Sequence, residues 1–252
     1  MRLKVWACAF ALLLTATAAG AEDPAPRGPA AGPDLRAQLS PRRFTTLSSE
    51  LAAKIEKIAV REGERFTQGQ TLVALDCAIQ RAQLERAHSV AASAEKIHAT
   101  NQRLSELNSV SSLEIEAANM EEARAKGDLQ VITATVSKCT ITAPFNGRVT
   151  EQKAREQQFL QAGQPVLDIL DDSTLEIEFI VSSRWLAWLK PGQGFTIQID
   201  ETGKSYPAKV TRLGAKVDAV SQSVKVIGEI TGGFPELMAG MSGKVLLAPP
   251  PP

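Results

Sequence analysis

Two stretches of this chain repeat one another at a fixed offset, and a long helical stretch separates them. An offset of 94 positions brings Ile55 onto Val149, Glu62 onto Glu156 and Gly69-Gln70 onto Gly163-Gln164. The same offset brings Leu72-Val73 onto Val166-Leu167 and Leu75 onto Ile169. The first copy reads as short β segments with turns at Glu62-Gly63-Glu64 and Gln68-Gly69-Gln70. Residues 47–76 and 141–170 are therefore predicted to be two halves of one β module. Half a flattened barrel can bury its apolar face only against the other half. The module must close around both copies, and whatever lies between them projects from a closed base.

The insertion is helical. From Ala78 to about Leu107 there is neither Gly nor Pro, and Val90, Ala94, Ile97, Asn101 and Leu104 recur at spacings of four and three. After a break at Asn108 to Ser112, a second run places Ile115, Ala118, Glu122, Ala125, Leu129, Ile132 and Val136 at the same spacings. Two such stripes across a short polar break predict an antiparallel coiled-coil hairpin whose first helix is about 45 Å long. Asn101 and Glu122 interrupt the stripes, and Gly127 is the weak point of the second arm.

Beyond it the β pattern resumes, from Cys139 to Asp171 and again from Thr174 to Leu247. Alternating runs such as Leu175-Glu176-Ile177-Glu178-Phe179 stand beside one short helix, Ser183 to Lys190, stopped by Pro191-Gly192. A small β-barrel is expected there. The predicted class is mainly β with an inserted α-helical hairpin. The module takes residues 44–76 and 140–171, the hairpin 77–139, and the barrel 172–248 before a proline tail, 249–252.

The first 21 residues have the form of a secretory signal peptide. Arg2 and Lys4 precede an apolar stretch, Val5 to Leu14, and Ala19-Gly20-Ala21 offers a small-residue cleavage site. An uncleaved anchor fits less well because the apolar run is short. A lipoprotein fits least, since Cys8 lies ahead of most of that run. Residues 22–43 read as a flexible Pro-rich segment. Removing the peptide leaves Cys77 and Cys139 in a compartment that permits disulfides. Over the full chain 28 basic residues balance 28 acidic ones, which argues against nucleic acid as a partner.

The order of segments resembles the periplasmic adaptor (membrane fusion) proteins of tripartite efflux and secretion systems. The resemblance rests first on Lys54-Ile55, Val60-Arg61-Glu62-Gly63, Gly69-Gln70-Thr71-Leu72 and Leu75-Asp76 on the way up. On the way down it rests on Cys139-Thr140-Ile141-Thr142-Ala143-Pro144-Phe145-Asn146-Gly147-Arg148-Val149. Later come Leu189-Lys190-Pro191-Gly192-Gln193 and Ala239-Gly240-Met241-Ser242-Gly243. It implies a split lipoyl-like (biotinyl/lipoyl) module, an α-hairpin and a β-barrel. It also implies a non-enzymatic adaptor in the periplasm, held at the inner membrane through a transporter of the RND or ABC type. A TolC-type outer-membrane channel and a homo-oligomeric ring, six copies by that resemblance, complete the expected partners. Ala53 and Gln157 stand where the family has glycine, which implies looser turns, and the hairpin tip is a few residues shorter. The barrel pattern ends near the last residue, so the membrane-proximal domain of the family is expected to be incomplete. That leaves a rival reading, a stand-alone exported scaffold or regulatory protein that has lost transporter docking.

Several residues carry specific expectations. At the tip, Arg103, Leu107 and Ser111 resemble the Arg–Leu–Ser pattern by which these adaptors engage the outer-membrane channel, with Ser112 a competitor for the last place. The bland alternative is a solvated arginine beside a coiled-coil leucine. Cys77 precedes the ascending helix and Cys139 opens the strand after the descending one, so a disulfide is expected at the hairpin's base, the alternative being two unlinked thiols. Trp185 and Trp188 either fill the barrel core or turn one face to a partner. No cofactor is expected. A lipoyl or biotinyl carrier needs a lysine on the turn joining the two halves, and the hairpin, opened by Asp76-Cys77, replaces that turn. Gly240-Met241-Ser242-Gly243-Lys244 lacks the earlier glycine and following hydroxyl of a phosphate loop. His88 and His98 lie about 15 Å apart along one helix and are expected to be solvated, with no metal site or general base between them.

Overall fold

The computed structural model describes residues 35–247. The expected signal peptide, the tether over 22–34 and the proline tail lie outside the described residues. In chain order the strands begin with β1 (Leu35–Pro41), β2 (Phe44–Ser48), β3 (Ala53–Ile58), β4 (Arg65–Phe66) and β5 (Thr71–Leu75). Helices α1 (Ala78–Glu106) and α2 (Ser112–Ser137) follow. Then come β6 (Thr140–Thr142), β7 (Gly147–Gln152), β8 (Phe159–Leu160) and β9 (Pro165–Leu170). The last group is β10 (Leu175–Ser182), a 3₁₀ turn over Ser183–Ala187, β11 (Gly194–Ile199), β12 (Ser205–Asp218), β13 (Ser223–Ile230) and β14 (Ser242–Leu246).

The sequence repeat is a repeat of structure. At the same offset β3, β4 and β5 fall on β7, β8 and β9. They build two four-stranded sheets, ordered β2-β9-β7-β4 and β6-β5-β3-β8. In each sheet the two inner strands come from one half and the two outer strands from the other. Neither half completes a sheet alone. One core fills the space between the sheets: Ile55, Leu72, Val73, Leu75, Leu160, Val166, Leu167 and Ile169 are wholly buried. Each such aliphatic side chain contributes about 1.5–3 kcal/mol.

The repeated polar residues make repeated hydrogen bonds. Glu156 accepts from the Ile58 N–H, and Glu62 accepts from the Gln152 N–H at the equivalent place. Gly63 donates to the Val149 carbonyl and Gln157 to that of Ile55, each at 2.9 Å. Gln157 therefore does not loosen its turn. It takes the left-handed backbone of its counterpart, φ 66° against 79° for Gly63, at some cost in strain. Ala53 lies within β3 and is buried, so no turn depends on it. Its counterpart Gly147 does need to be glycine, because a Cβ there would stand 2.0 Å from the Leu170 carbonyl oxygen.

Residues 35–41, expected in the flexible segment, instead form β1, with Ala37 and Leu39 buried. β1 pairs with both β10 and β14 and closes the barrel, ordered β1-β10-β13-β12-β11-β14. The alternation that marks this strand is only a few residues long, and the neighbouring Pro-rich stretch masks it. Inside the barrel Leu39, Ile177, Phe179, Ile197, Ile199 and Val226 are buried, and the Phe179 and Phe195 rings lie 5.3 Å apart. The helix expected over Ser183 to Lys190 shrinks to the 3₁₀ turn because Pro191 follows too soon for a second turn.

The chain passes between barrel and module at residues 42–43 and 171–174, and Asp171 ties the two passages together. Its carboxylate, nearly fully buried, accepts from Arg43 Nε at 2.9 Å and from the Ser173 N–H and hydroxyl. Burial alone would raise its pKa. The bonds from Ser173 and Arg43 outweigh it and hold the group below its ordinary 3.8.

Candidate functional site

α1 has 29 residues and α2 has 26, so they are about 44 and 39 Å long. They run antiparallel, and a disulfide between Cys77 and Cys139, both buried, joins the two arms at the base. The far end is a turn fixed from both sides. Ser109 donates to the Leu104 carbonyl and Asn108, at φ 55°, to that of Ser105, the bond pattern of a Schellman motif. Ser111 then caps α2 in a reciprocal box with Glu114. The tip is short because both helix ends are capped within five residues.

Those caps sort the expected tip residues. Arg103 is exposed and joins no ion pair among the described residues, and Leu107 is 72% exposed. Ser111, also exposed, is bonded within the turn: its hydroxyl accepts from the Glu114 N–H and donates to the Glu114 carboxylate. Leu113, absent from the expected set, is 77% exposed at the start of α2. A search for apolar residues flanking the break would have found it.

The seam between the helices is thin; on α1 the expected Ala94, Asn101 and Leu104 lie on its less exposed side, and the expected Val90 and Ile97 do not. Ala91, Ala94 and Ala125 are buried, with Leu129 packed against them. On α2 the less exposed positions are those the sequence predicts. On α1 the seam runs through Ala91 and His98, whereas Val90 and Ile97 are 47% and 55% exposed. Reading apolar residues alone favoured valine and isoleucine, but a small alanine and a paired histidine take those places. His98, expected to be solvated, is largely buried, and its Nδ1 lies 2.5 Å from Glu122 Oε2. Lys126 and then His98 hold the Glu122 carboxyl below its ordinary 4.5.

The outward face of α2 carries a second stripe. Leu113, Ala117, Met120, Arg124, Gly127, Val131 and Ala134 follow spacings of four and three, and all are exposed. Met120 and Val131 are 67% and 65% exposed. Arg124, paired with Glu121, interrupts this outer stripe, but its apolar members still give α2 one more face than α1 covers. A test for two periods in the same segment, rather than one, would have shown it.

No protein-family model matches the chain. A MacA–MexA chimeric protein containing the α-hairpin domain of Pseudomonas aeruginosa MexA superposes with a TM-score of 0.74 at 21% identity, over 84% of this chain and 78% of the chimera. The membrane fusion protein Spr0693 of Streptococcus pneumoniae does so at 0.71 and 20%, over 84% and 96%. The chain has the fold of the membrane fusion proteins. In sequence it is 24% identical over 217 residues to an uncharacterized protein of Haemophilus influenzae. It is 23% identical over 218 residues to the nodulation protein NolF of Rhizobium meliloti. These matches take in 84% and 81% of this chain, which spans 56% and 59% of the lengths of the two relatives.

Within this membrane fusion protein fold the tryptophan pair packs on the barrel. Trp185 and Trp188 are half-buried against the barrel core, with ring centroids 5.0 Å apart, and the neighbouring Leu189 is wholly buried in that core. Leu186 is the apolar residue that this turn leaves outside, 39% exposed. Among the described residues no helix is long and apolar enough to cross a membrane.

Proposed function

We propose that this protein is a non-enzymatic periplasmic adaptor, exported by a cleaved signal peptide, that links an inner-membrane transporter to an outer-membrane exit channel. The observation that carries the proposal is the tip of the helix pair. A turn capped on both sides, about 40 Å from the β module, exposes Leu107 and Leu113 next to Arg103, which has no ion-pair partner among the described residues. Leucines left this open at the end of a rigid arm favour a partner that covers them. The arm then acts as a coiled-coil hairpin that sets reach, and the lipoyl-like module is its base. Arg103 supplies charged donors to carbonyls of the channel, the leucines fill its grooves, and Ser111 serves by fixing the turn.

Several copies stand side by side in this proposal. The outer stripe of α2 on one copy covers Val90 and Ile97 on the α1 flank of the next, so the arms line a conduit. The same function follows whether the transporter is of the RND or the ABC class.

Complementation tests the reading. In a strain lacking the gene, the wild-type chain should restore the lost efflux or secretion. The Arg103→Asp and Leu107→Asp variants should fail to restore it while reaching the periplasm at normal level and helicity. Full restoration by both variants would overturn the tip assignment, and a wild-type chain retained in the cytoplasm would overturn the adaptor itself.

A further inference from the structure

A cleft of about 910 Å³ opens where the β module meets the barrel, and the helix pair takes no part in it. Its size falls in the range of small-molecule sites, which favour domain junctions. The module contributes Arg65 from β4 and Arg148 from β7. The barrel side contributes Phe234, Leu237 and Met238 from the segment before β14.

The two ends of the cleft differ in chemistry. At the module end, Arg65 Nη2 lies 2.8 Å and Arg148 Nε 3.4 Å from the same oxygen, Asp172 Oδ2. One carboxylate thus serves two guanidinium groups. The Arg148 Nε is buried and makes no hydrogen bond among the described residues, only the longer ion-pair contact with Asp172, so its donor is left to another acceptor. Lys209 and Glu229, 4.0 Å apart on the wall, cancel each other. One positive charge is left in excess. At the barrel end, Phe234 is set edge-on against Tyr206 at 4.8 Å, Leu237 is buried beneath, and Met238 is 55% exposed. A flexible thioether beside a fixed ring suits an apolar body of variable shape.

We propose that this cleft binds an amphipathic organic anion. Its carboxylate or sulfonate lies against Arg148 and Arg65, and its apolar part against Phe234 and Met238. The fork of guanidinium donors suits such an oxyanion head, two of whose oxygens it can meet at once, and the excess charge selects against cationic amphiphiles. The site does not depend on the adaptor reading, because neither the tip nor the α2 stripe contributes to it.

Titration calorimetry on the full exported chain tests the proposal, with sodium decanoate as probe and decyltrimethylammonium as its cationic counterpart. Decanoate should saturate at one per chain, and the cation should bind at least about tenfold more weakly. Arg148→Gln should weaken decanoate about tenfold, and Arg148→Lys should recover part of the loss. Arg148 also meets Asp172, so Met238→Asp serves as the variant that leaves the core untouched, and it too should weaken decanoate. Val220→Asp, at an apolar position 95% exposed in the β12–β13 turn, should bind as the wild type does. Absence of saturable decanoate binding would overturn the site. So would equal binding of the cation, or unchanged affinity in Met238→Asp.

Discussion

The β module and the helix pair are built from one continuous stretch of chain, yet they are stabilised in opposite ways. The module packs large aliphatic side chains that are wholly buried, and its two halves satisfy each other's backbone through matched bonds such as those of Glu62 and Glu156. The helix pair buries three alanines and a histidine–glutamate contact, and leaves Met120, Val131 and Leu113 open. The module is complete in one copy. The helix pair is fixed at its two ends, by the disulfide and by the capped turn, and thin between them. Under the proposed function, such a division suits a firm base and an arm whose remaining apolar surface meets other molecules.

That contrast can be broken most forcefully at the disulfide. Replacing Cys77 and Cys139 together by serine releases a closed loop with a sequence separation of 62 residues. It should lower the unfolding free energy by about 4 kcal/mol in urea titration. The next largest effect separates the two cores. Ile55→Ala, at a wholly buried module position, should cost about 3 kcal/mol, and Leu129→Ala, half-buried in the seam, about 1 kcal/mol. Equal losses would mean that the helix seam is as tight as the module.

Glycines sharpen the same point. A Cβ at Gly147 meets the Leu170 carbonyl, so Gly147→Ala should cost about 2 kcal/mol. Gly127 in α2 has open space around it, and Gly127→Ala should stabilise by about 1 kcal/mol. Thermal melts of both variants give the sign directly.

The smallest effect is one of pH at the junction. Because Asp171 titrates below its ordinary 3.8 in the folded protein, its contribution is fully present above that value. It is lost as pH falls through the lower, folded value. Asp171→Asn should therefore lower Tm at pH 6 and bring the variant and wild type together under strongly acidic conditions. A constant difference between them down to the lowest pH would exclude the linkage.

The repeat, its strands and the helix limits were legible because each rests on a period or a turn signal that survives in a single sequence. Glu62 and Glu156 stood out as a matched pair before any geometry explained why a carboxylate was needed there. What could not be read depended on contacts across space. β1 is recognisable as a strand only beside β10 and β14. Two places on α1 were misread because Val90 and Ile97 are more apolar than Ala91 and His98, and hydrophobicity cannot anticipate that a histidine will be paired with Glu122. With Ile97 outside the seam, Ile97→Asp leaves the isolated chain folded and acts instead on association between copies. The capping role of Ser111 was legible too, since Ser111 and Glu114 have the spacing of a capping box ahead of a helical run, and the structure forms that box.

Photo-crosslinking in living cells tests the docking arm most directly, with a benzophenone side chain placed at Leu107 in one strain and at Met120 in another. The account predicts that position 107 links to an outer-membrane channel protein and position 120 to a second copy of this chain. Position 107 yielding no outer-membrane adduct, while the chain accumulates normally in the periplasm, would contradict it.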